Sequence, residues 1–147
     1  RALNDPTRKM SKSEAHIPDH AICLTDEPDA IRAAIRHAVT DTGREIAFSD
    51  DPKKAGINNL LEIYELLTGQ SRPQIEVHFD GQGYAALKQE LSEVVIEALR
   101  PIRERYRALI SDRAELDRIL ALGAERAGTV ARRKVEQVKE RVGFIVP

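Results

Sequence analysis

The sequence predicts an all-α fold, a helical bundle with a long antiparallel helix pair and an N-terminal loop. Three observations carry this. Apolar residues recur at spacings of three and four through most of the chain, the mark of helices with one buried face. The breaks between these stretches are cap and turn residues, among them Gly43, Gly69, Asp80-Gly81-Gln82-Gly83 and Asp112. No internal repeat and no low-complexity segment disturbs the pattern. The 147 residues amount to one domain, and 41% hydrophobic content is enough for a single core.

Residues 1–20 read as loop. Asn4-Asp5-Pro6-Thr7 is turn chemistry, and Lys9 to Ser13 is polar without an apolar period. Ala21 to Leu24 is a short apolar run suited to an extended segment. Thr25 or Asp26 then caps a helix that has Pro28 in its first turn and Glu27 and Asp29 at the positive end of its dipole. Ile31, Ala34, Ile35, Ala38 and Val39 form its apolar face, and Thr42-Gly43 ends it. Residues 43–52 are a connector in which Ile46 and Phe48 alternate as in a short strand. Lys53 to Thr68 is the next helix, with Ile57, Leu60, Leu61, Tyr64 and Leu67 as its stripe and Gly69 beyond its end. A short helix is predicted over Pro73 to Phe79.

Two long helices complete the reading. Tyr84, Leu87, Leu91, Val94, Ala98, Ile102, Tyr106 and Leu109 keep the spacing in the first, which contains Pro101 as a kink. Asp112 caps the second, in which Leu116, Leu120, Ala127, Val135, Val138 and Val142 continue the stripe through Gly123. The two stripes are expected to face each other across a turn near Ser111.

Lys9-Met10-Ser11-Lys12-Ser13 is the stretch that carries chemistry. It places two ammonium groups three residues apart beside two hydroxyls. Mobile point charges, hydroxyls and backbone amides together suit a polyphosphate. A solvated Lys/Ser loop is the plain alternative for any Lys-x-x-Lys, but these five residues spell the KMSKS motif of class I aminoacyl-tRNA synthetases. Further stretches sharpen the likeness: Asp5-Pro6-Thr7, Ala38-Val39-Thr40-Asp41, Gly56 to Tyr64, Gly81-Gln82-Gly83-Tyr84 with Lys88, Leu99 to Tyr106, and Gly123 to Ala127. In order and spacing the chain resembles the tryptophanyl-tRNA synthetases of the bacterial type over nearly its whole length. It departs from that pattern where Glu14-Ala15-His16 follows the motif.

The resemblance implies ATP-dependent joining of L-tryptophan to tRNA(Trp), by way of tryptophanyl-adenylate. It implies ATP and Mg2+ as a substrate complex, a homodimeric full enzyme and a cytoplasmic location. Residues 1–20 would be the KMSKS loop and a remnant of the catalytic domain, and residues 21–147 the helical anticodon-binding domain. Lys9, Met10, Ser11, Lys12 and Ser13 would meet ATP, with Lys9 and Lys12 catalytic. A HIGH motif and its nucleotide-binding domain are absent from the sequence, which begins at Arg1 in the middle of a motif; it therefore reads as a fragment, expected to be inactive and to hold its loop loosely. The other reading is a non-enzymatic helical tRNA-binding or interaction module.

Residues 1–83 hold 10 Lys/Arg against 14 Asp/Glu, and residues 84–147 hold 13 against 10. A mildly basic second half is compatible with a polyanion. Arg100, Arg103 and Arg107 share a helical face by spacing, and Arg132, Arg133 and Lys134 form a cluster. Either set is a candidate for tRNA phosphates, and a solvated or salt-bridged face is the alternative. No metal site is expected: His16 and His20 have ligand spacing, but Pro18 between them forbids a regular helix. Cys23 is the only cysteine, so no internal disulfide forms, and it reads as a small core residue. The N-terminal residues lack a secretory apolar region, and no apolar run approaches the ~18 residues of a membrane span.

Overall fold

The structure, a computed structural model, describes residues 1–144. Among the described residues it is helical without strands. The helices are α1 (Pro28–His37), α2 (Ala55–Thr68), α3 (Arg72–His78), α4 (Tyr84–Ser111) and α5 (Arg113–Arg141). The chain divides into two compact units, Arg1–Glu104 and a second that begins at Arg105.

In the first unit α1 to α3 and the first half of α4 close around one core. Ile31 and Ile35 of α1, Ile57, Leu60, Leu61 and Tyr64 of α2, Ile75 of α3, and Leu87, Leu91, Val95 and Ile96 of α4 are all buried. These are mostly the residues of the predicted stripes. On α4 the buried set follows Leu91 with Val95 and Ile96, whereas Ile102 and Tyr106 are exposed. Leu3 and Ala2 are buried as well, so the N-terminal segment is built into this core and does not merely hang from it.

The caps explain the helix limits. Gly69 takes φ 68°, the left-handed conformation that glycine adopts without penalty, and its N–H returns to Glu65 O. Ser71 and Gln74 form a capping box before α3. The start of α1 differs from expectation. Glu27 stands at the N-cap, and Asp26 instead accepts the backbone N–H of Cys23 at 2.7 Å. Cys23 itself is exposed, not a core residue.

Two further differences concern the chain from the end of α1 to α2. α1 stops at His37 and does not run on to Thr42, because the Val39 N–H is given to Leu3 O at 2.8 Å. The exposed C-terminal carbonyls of α1 are collected by Lys88, whose Nζ donates to Ala38 O at 2.7 Å and Arg36 O at 3.1 Å. Burial pushes the Lys88 ammonium down. α2 then abuts this extended stretch at Gly56, where any Cβ would collide with Val39 O. The expected strand at Ile46 and Phe48 is irregular chain: Ile46 enters the core, and the Phe48 N–H goes to the Glu76 carboxylate at 2.9 Å.

Polar pins join the helices. Glu90 of α4 accepts Tyr64 Oη at 2.6 Å and faces His78 of α3 at 2.9 Å. Burial, then this bond, raises the Tyr64 phenol to about 12. Asp41 accepts the Gly43 N–H at 2.6 Å, Tyr84 Oη at 2.9 Å and Lys54 Nζ at 3.2 Å. Burial opposes its charge, but these three donors together hold its carboxyl below the ordinary value.

In the second unit α5 begins at Asp112, whose side chain accepts the Glu115 N–H at 3.0 Å as expected. Pro101 lies inside α4 without ending it. None of the described residues of α5 is buried, and Leu120, Val135, Val138 and Val142 of its stripe are exposed.

The Asp41 cluster has a pH signature. A carboxyl depressed by folding adds stability that is complete above its unfolded value, near ~3.9, and is lost as pH falls through the folded value. The stability gap between wild type and Asp41→Asn is therefore expected to be full above about pH 5 and to shrink as pH falls below the ordinary carboxylate range. Urea unfolding of both chains across that range measures it. A gap independent of pH would show that the carboxylate charge contributes nothing.

Candidate functional site

The motif lies in a loop with a closed neck. The Leu3 N–H donates to His20 O at 3.1 Å, so residues 4–19 leave and re-enter the core side by side. The Ala2 N–H donates to Arg8 O at 3.1 Å and narrows the loop further. Within it Asp5 organises a turn: its carboxylate accepts the Thr7 hydroxyl at 2.6 Å and the Thr7 N–H at 3.1 Å. The Thr7 hydroxyl, then its amide, hold the Asp5 carboxyl low.

The five motif residues divide between inside and outside. Met10 packs against the core and is half-buried, leaving mainly its backbone for a ligand. Ser11 is half-buried, and its hydroxyl lies 2.9 Å from that of Ser13. Lys12 opens a single 3-10 turn, Lys12–Glu14. Lys9, Lys12 and Ser13 are exposed. Glu14 forms an ion pair with Arg8 at 2.8 Å. Of the cations in this stretch Arg8 is thus neutralised, while Lys9 and Lys12 have no ion-pair partner among the described residues.

The loop is folded more firmly than the sequence suggests. The Ser11 N–H donates to His20 Nε2 at 3.1 Å, His16 Nδ1 lies 3.1 Å from Ser13 O, and Asp19 reaches His37 of α1 at 3.0 Å. His20 was visible in the sequence only as half of an unconvincing metal pair. Here its ring is buried and hydrogen-bonded on both nitrogens, to Ser11 and to Asn4. No group of three His, Cys, Asp or Glu side chains gathers to hold a metal among the described residues.

The candidate polyanion contacts separate by burial. Arg103 is 5% exposed, and its guanidinium donates to Asp26 O at 3.3 Å, so it is turned inward and leaves the set. Arg100 is exposed but paired with Glu97 at 2.9 Å. Arg107 is exposed. Arg132, Arg133 and Lys134 are exposed on α5, with no ion pair among the described residues. Their unit, from Arg105 on, carries ten Lys/Arg against six Asp/Glu. A groove of about 450 Å³ beside α1 and α4 is lined by Arg32, Arg36, Tyr84 and Lys88, but Arg32 is held by Glu93 and Asp29, and Lys88 by backbone carbonyls. Among the described residues no helix is long and apolar enough to cross a membrane.

Known proteins match this arrangement. A family described as tRNA synthetases class I (W and Y) matches residues 2–100. A tryptophan–tRNA ligase of Wolinella succinogenes is 44% identical over 97% of this chain and 43% of its own length. Another, from Helicobacter pylori, is 48% identical over 97% of this chain and 42% of its own length. A solved tryptophanyl-tRNA synthetase from Mycoplasma pneumoniae superposes with a TM-score of 0.78 at 27% identity, covering 99% of this chain and 43% of that one. One from Campylobacter jejuni, complexed with ADP and tryptophan, shares the fold at a TM-score of 0.72 and 24% identity, over 98% of this chain and 44% of that one. The chain thus spans less than half the length of these relatives.

The burial of Arg103 separates structural from surface arginines. Arg103→Ala is expected to lower folding stability by about 1–3 kcal/mol, by removing a buried charge-assisted bond. Arg133→Ala is expected to change it by less than about 0.5 kcal/mol. Urea midpoints of the two variants check the contrast, and equal losses would refute it.

Proposed function

Because the chain belongs to the class I tRNA synthetases (W and Y), we propose that it is the phosphate-loop and tRNA-binding part of a tryptophan–tRNA ligase. The whole enzyme activates L-tryptophan with ATP, forming tryptophanyl-adenylate and pyrophosphate, and then transfers the tryptophanyl group to the 3′ end of tRNA(Trp). The relatives of 44% and 48% identity, both tryptophan–tRNA ligases, support the choice of amino acid. ATP enters with Mg2+ as a substrate complex. The reading includes a homodimeric enzyme working in the cytoplasm.

The observation that carries the loop's role is the division of its cations. Glu14 takes up Arg8 and leaves Lys9 and Lys12 exposed. Two uncommitted ammonium groups on a folded loop are matched to charge that develops on a leaving pyrophosphate. Their work is positioning and electrostatics, with no covalent step. Ser11 and Ser13 add hydroxyl donors, and Met10 anchors the loop from beneath. Residues 1–20 are the catalytic side of this assignment and residues 21–147 the tRNA side. That is a division of labour: in packing, the loop's base belongs to the same core as α1 to α3.

For tRNA we assign Arg132, Arg133 and Lys134, with Arg100 and Arg107 as further phosphate contacts. Arg132, Arg133 and Lys134 lead the assignment because they have no ion pair among the described residues, and a charge of that kind binds phosphate without an ion pair having to be broken first.

Removing one preorganised charge from a developing anion typically costs ~10²–10³ in rate. Lys12→Ala in the full-length enzyme is expected to slow adenylate formation on that order, with tryptophan affinity little changed. Single-turnover measurements at saturating ATP test this; near-normal rates, or an equal loss of tryptophan affinity, would end the assignment. For the tRNA side, neutralising Arg132, Arg133 and Lys134 together is expected to weaken tRNA binding and to reduce its salt slope by roughly 2–3, about one unit per lost phosphate contact. An unchanged slope in a binding titration from low to moderate salt would remove α5 from the interface.

A further inference from the structure

We propose that His20 is a positioning residue for the phosphate loop, acting through the backbone amide of Ser11. The inference rests on the reading of residues 9–13 as that loop. His20 is 1% exposed, and both ring nitrogens are engaged inside the loop's neck. The amide of Ser11 can only donate. Nε2, 3.1 Å from it, therefore accepts and carries no proton. The ring proton is consequently on Nδ1, from which it is donated to Asn4 Oδ1 at 3.1 Å. One imidazole thus joins the first turn of the loop, at Asn4, to the middle of the motif, at Ser11.

The backbone around His20 is shaped for this. Asp19 is the sole non-glycine residue at positive φ among the described residues, at 56°. A residue with a Cβ adopts that conformation only at a cost. Here it turns the chain so that the His20 carbonyl closes the neck on Leu3 while the ring enters the loop, and the Asp19 carboxylate is held by His37 at 3.0 Å. Glu14 lies 3.4 Å from Nε2, but its carboxylate is drawn to Arg8 at 2.8 Å and leaves the Ser11 amide uncontested.

Ser11 lies between the two lysines. Its neighbour Met10 is anchored by packing and its amide by His20, so the main chain is fixed on both counts at the centre of the motif. Lys9 and Lys12 project from either side of that fixed point. A charge contributes to the transition state in proportion to how well it is held before the reaction. Loss of the Ser11 bond should therefore reduce the rate of adenylate formation and leave tryptophan binding alone.

Two substitutions separate this role from simple support of the fold. In His20→Gln the side-chain oxygen reaches the place of Nε2 and keeps the acceptor for Ser11. In His20→Asn the amide reaches only the place of Nδ1, so the Asn4 bond is kept and the Ser11 bond lost. The measurement is tryptophan-dependent ATP–pyrophosphate exchange and unfolding midpoint for the full-length enzyme, both variants and Lys12→Ala. The expected result is a kcat lowered ~10-fold in His20→Asn, the weight of about one hydrogen bond, with KM for tryptophan unchanged and most of the rate restored in His20→Gln. Full activity in His20→Asn, or equal losses in both variants that follow their loss of stability, would overturn the proposal while a slow Lys12→Ala left the loop's own role standing. An inactive wild type or a fully active Lys12→Ala would overturn both.

Discussion

The N-terminal unit depends on how the backbone of Leu3 uses its two hydrogen-bonding groups. Leu3 is 1% exposed, so neither its N–H nor its C=O is compensated by solvent, and each must find a partner in the protein. The N–H goes to His20 O and fixes the neck of the loop that carries Lys9 to Ser13. The C=O receives the Val39 N–H and fixes the point at which α1 gives way to extended chain. That extended chain then sets the place of Gly56, the start of α2 and, through Ala38 O, the anchor of Lys88 on α4. The loop is in this way registered by one residue against helices that include α2 and α4, both distant from it in the sequence.

The same interaction shows which parts of the structure were legible in the sequence. Helix existence was legible wherever a local signal was sufficient: the αL glycine at Gly69, the Asp112 cap and the stripes of α1, α2 and early α4 follow from spacing and cap chemistry. The end of α1 was not. Gly43 is the obvious local stop, but Val39 and Thr40 are β-branched residues that leave the helix once Leu3 offers a carbonyl, and that offer is a contact 36 positions away. The motif was legible as a sequence pattern, yet not the inward turn of Met10 or the burial of His20. Both depend on the loop folding back on the core, and no periodicity announces that. Arg103 failed as a surface cation for a related reason. Spacing puts it on a face with Arg100 and Arg107, and the Asp26 carbonyl draws this one side chain inward.

α5 has a different physical basis. No described residue of α5 is fully buried and Leu116 is half-buried, so local interactions carry much of its helicity. The local interactions are the Asp112 cap, the ion pairs Arg118–Glu115 at 2.7 Å and Arg113–Asp117 at 3.0 Å, and a length of 29 residues. Pairs of this type contribute about 0.2–0.5 kcal/mol each. Gly123 and Gly128 each subtract about 1 kcal/mol relative to alanine. The helix is therefore sustained by length, which spreads a single nucleation cost over many residues.

Charge completes the argument, because the molecule distinguishes cations it has used from cations it has not. Arg32, Arg72, Arg103, Lys54 and Lys88 are committed to carboxylates or carbonyls that join one element to another. Arg8 belongs with them, since Glu14 ties it across the base of the loop. An arginine in such a bond is a structural member, and a ligand would have to break the bond before gaining the charge. Lys9 and Lys12, and separately Arg132, Arg133 and Lys134, have not been spent in this way. A phosphate approaching either group meets a full charge whose cost of desolvation has still to be met, so its attraction depends on ionic strength and geometry and not on the rupture of a protein contact. The loop departs from α5 in one respect that bears on the roles proposed for the two sets of cations. Its lysines stand on a backbone fixed by His20, Met10 and the Leu3 neck, whereas the α5 cations stand on a surface helix. The first arrangement suits charges that must be in place when a bond breaks, and the second suits charges that need only attract.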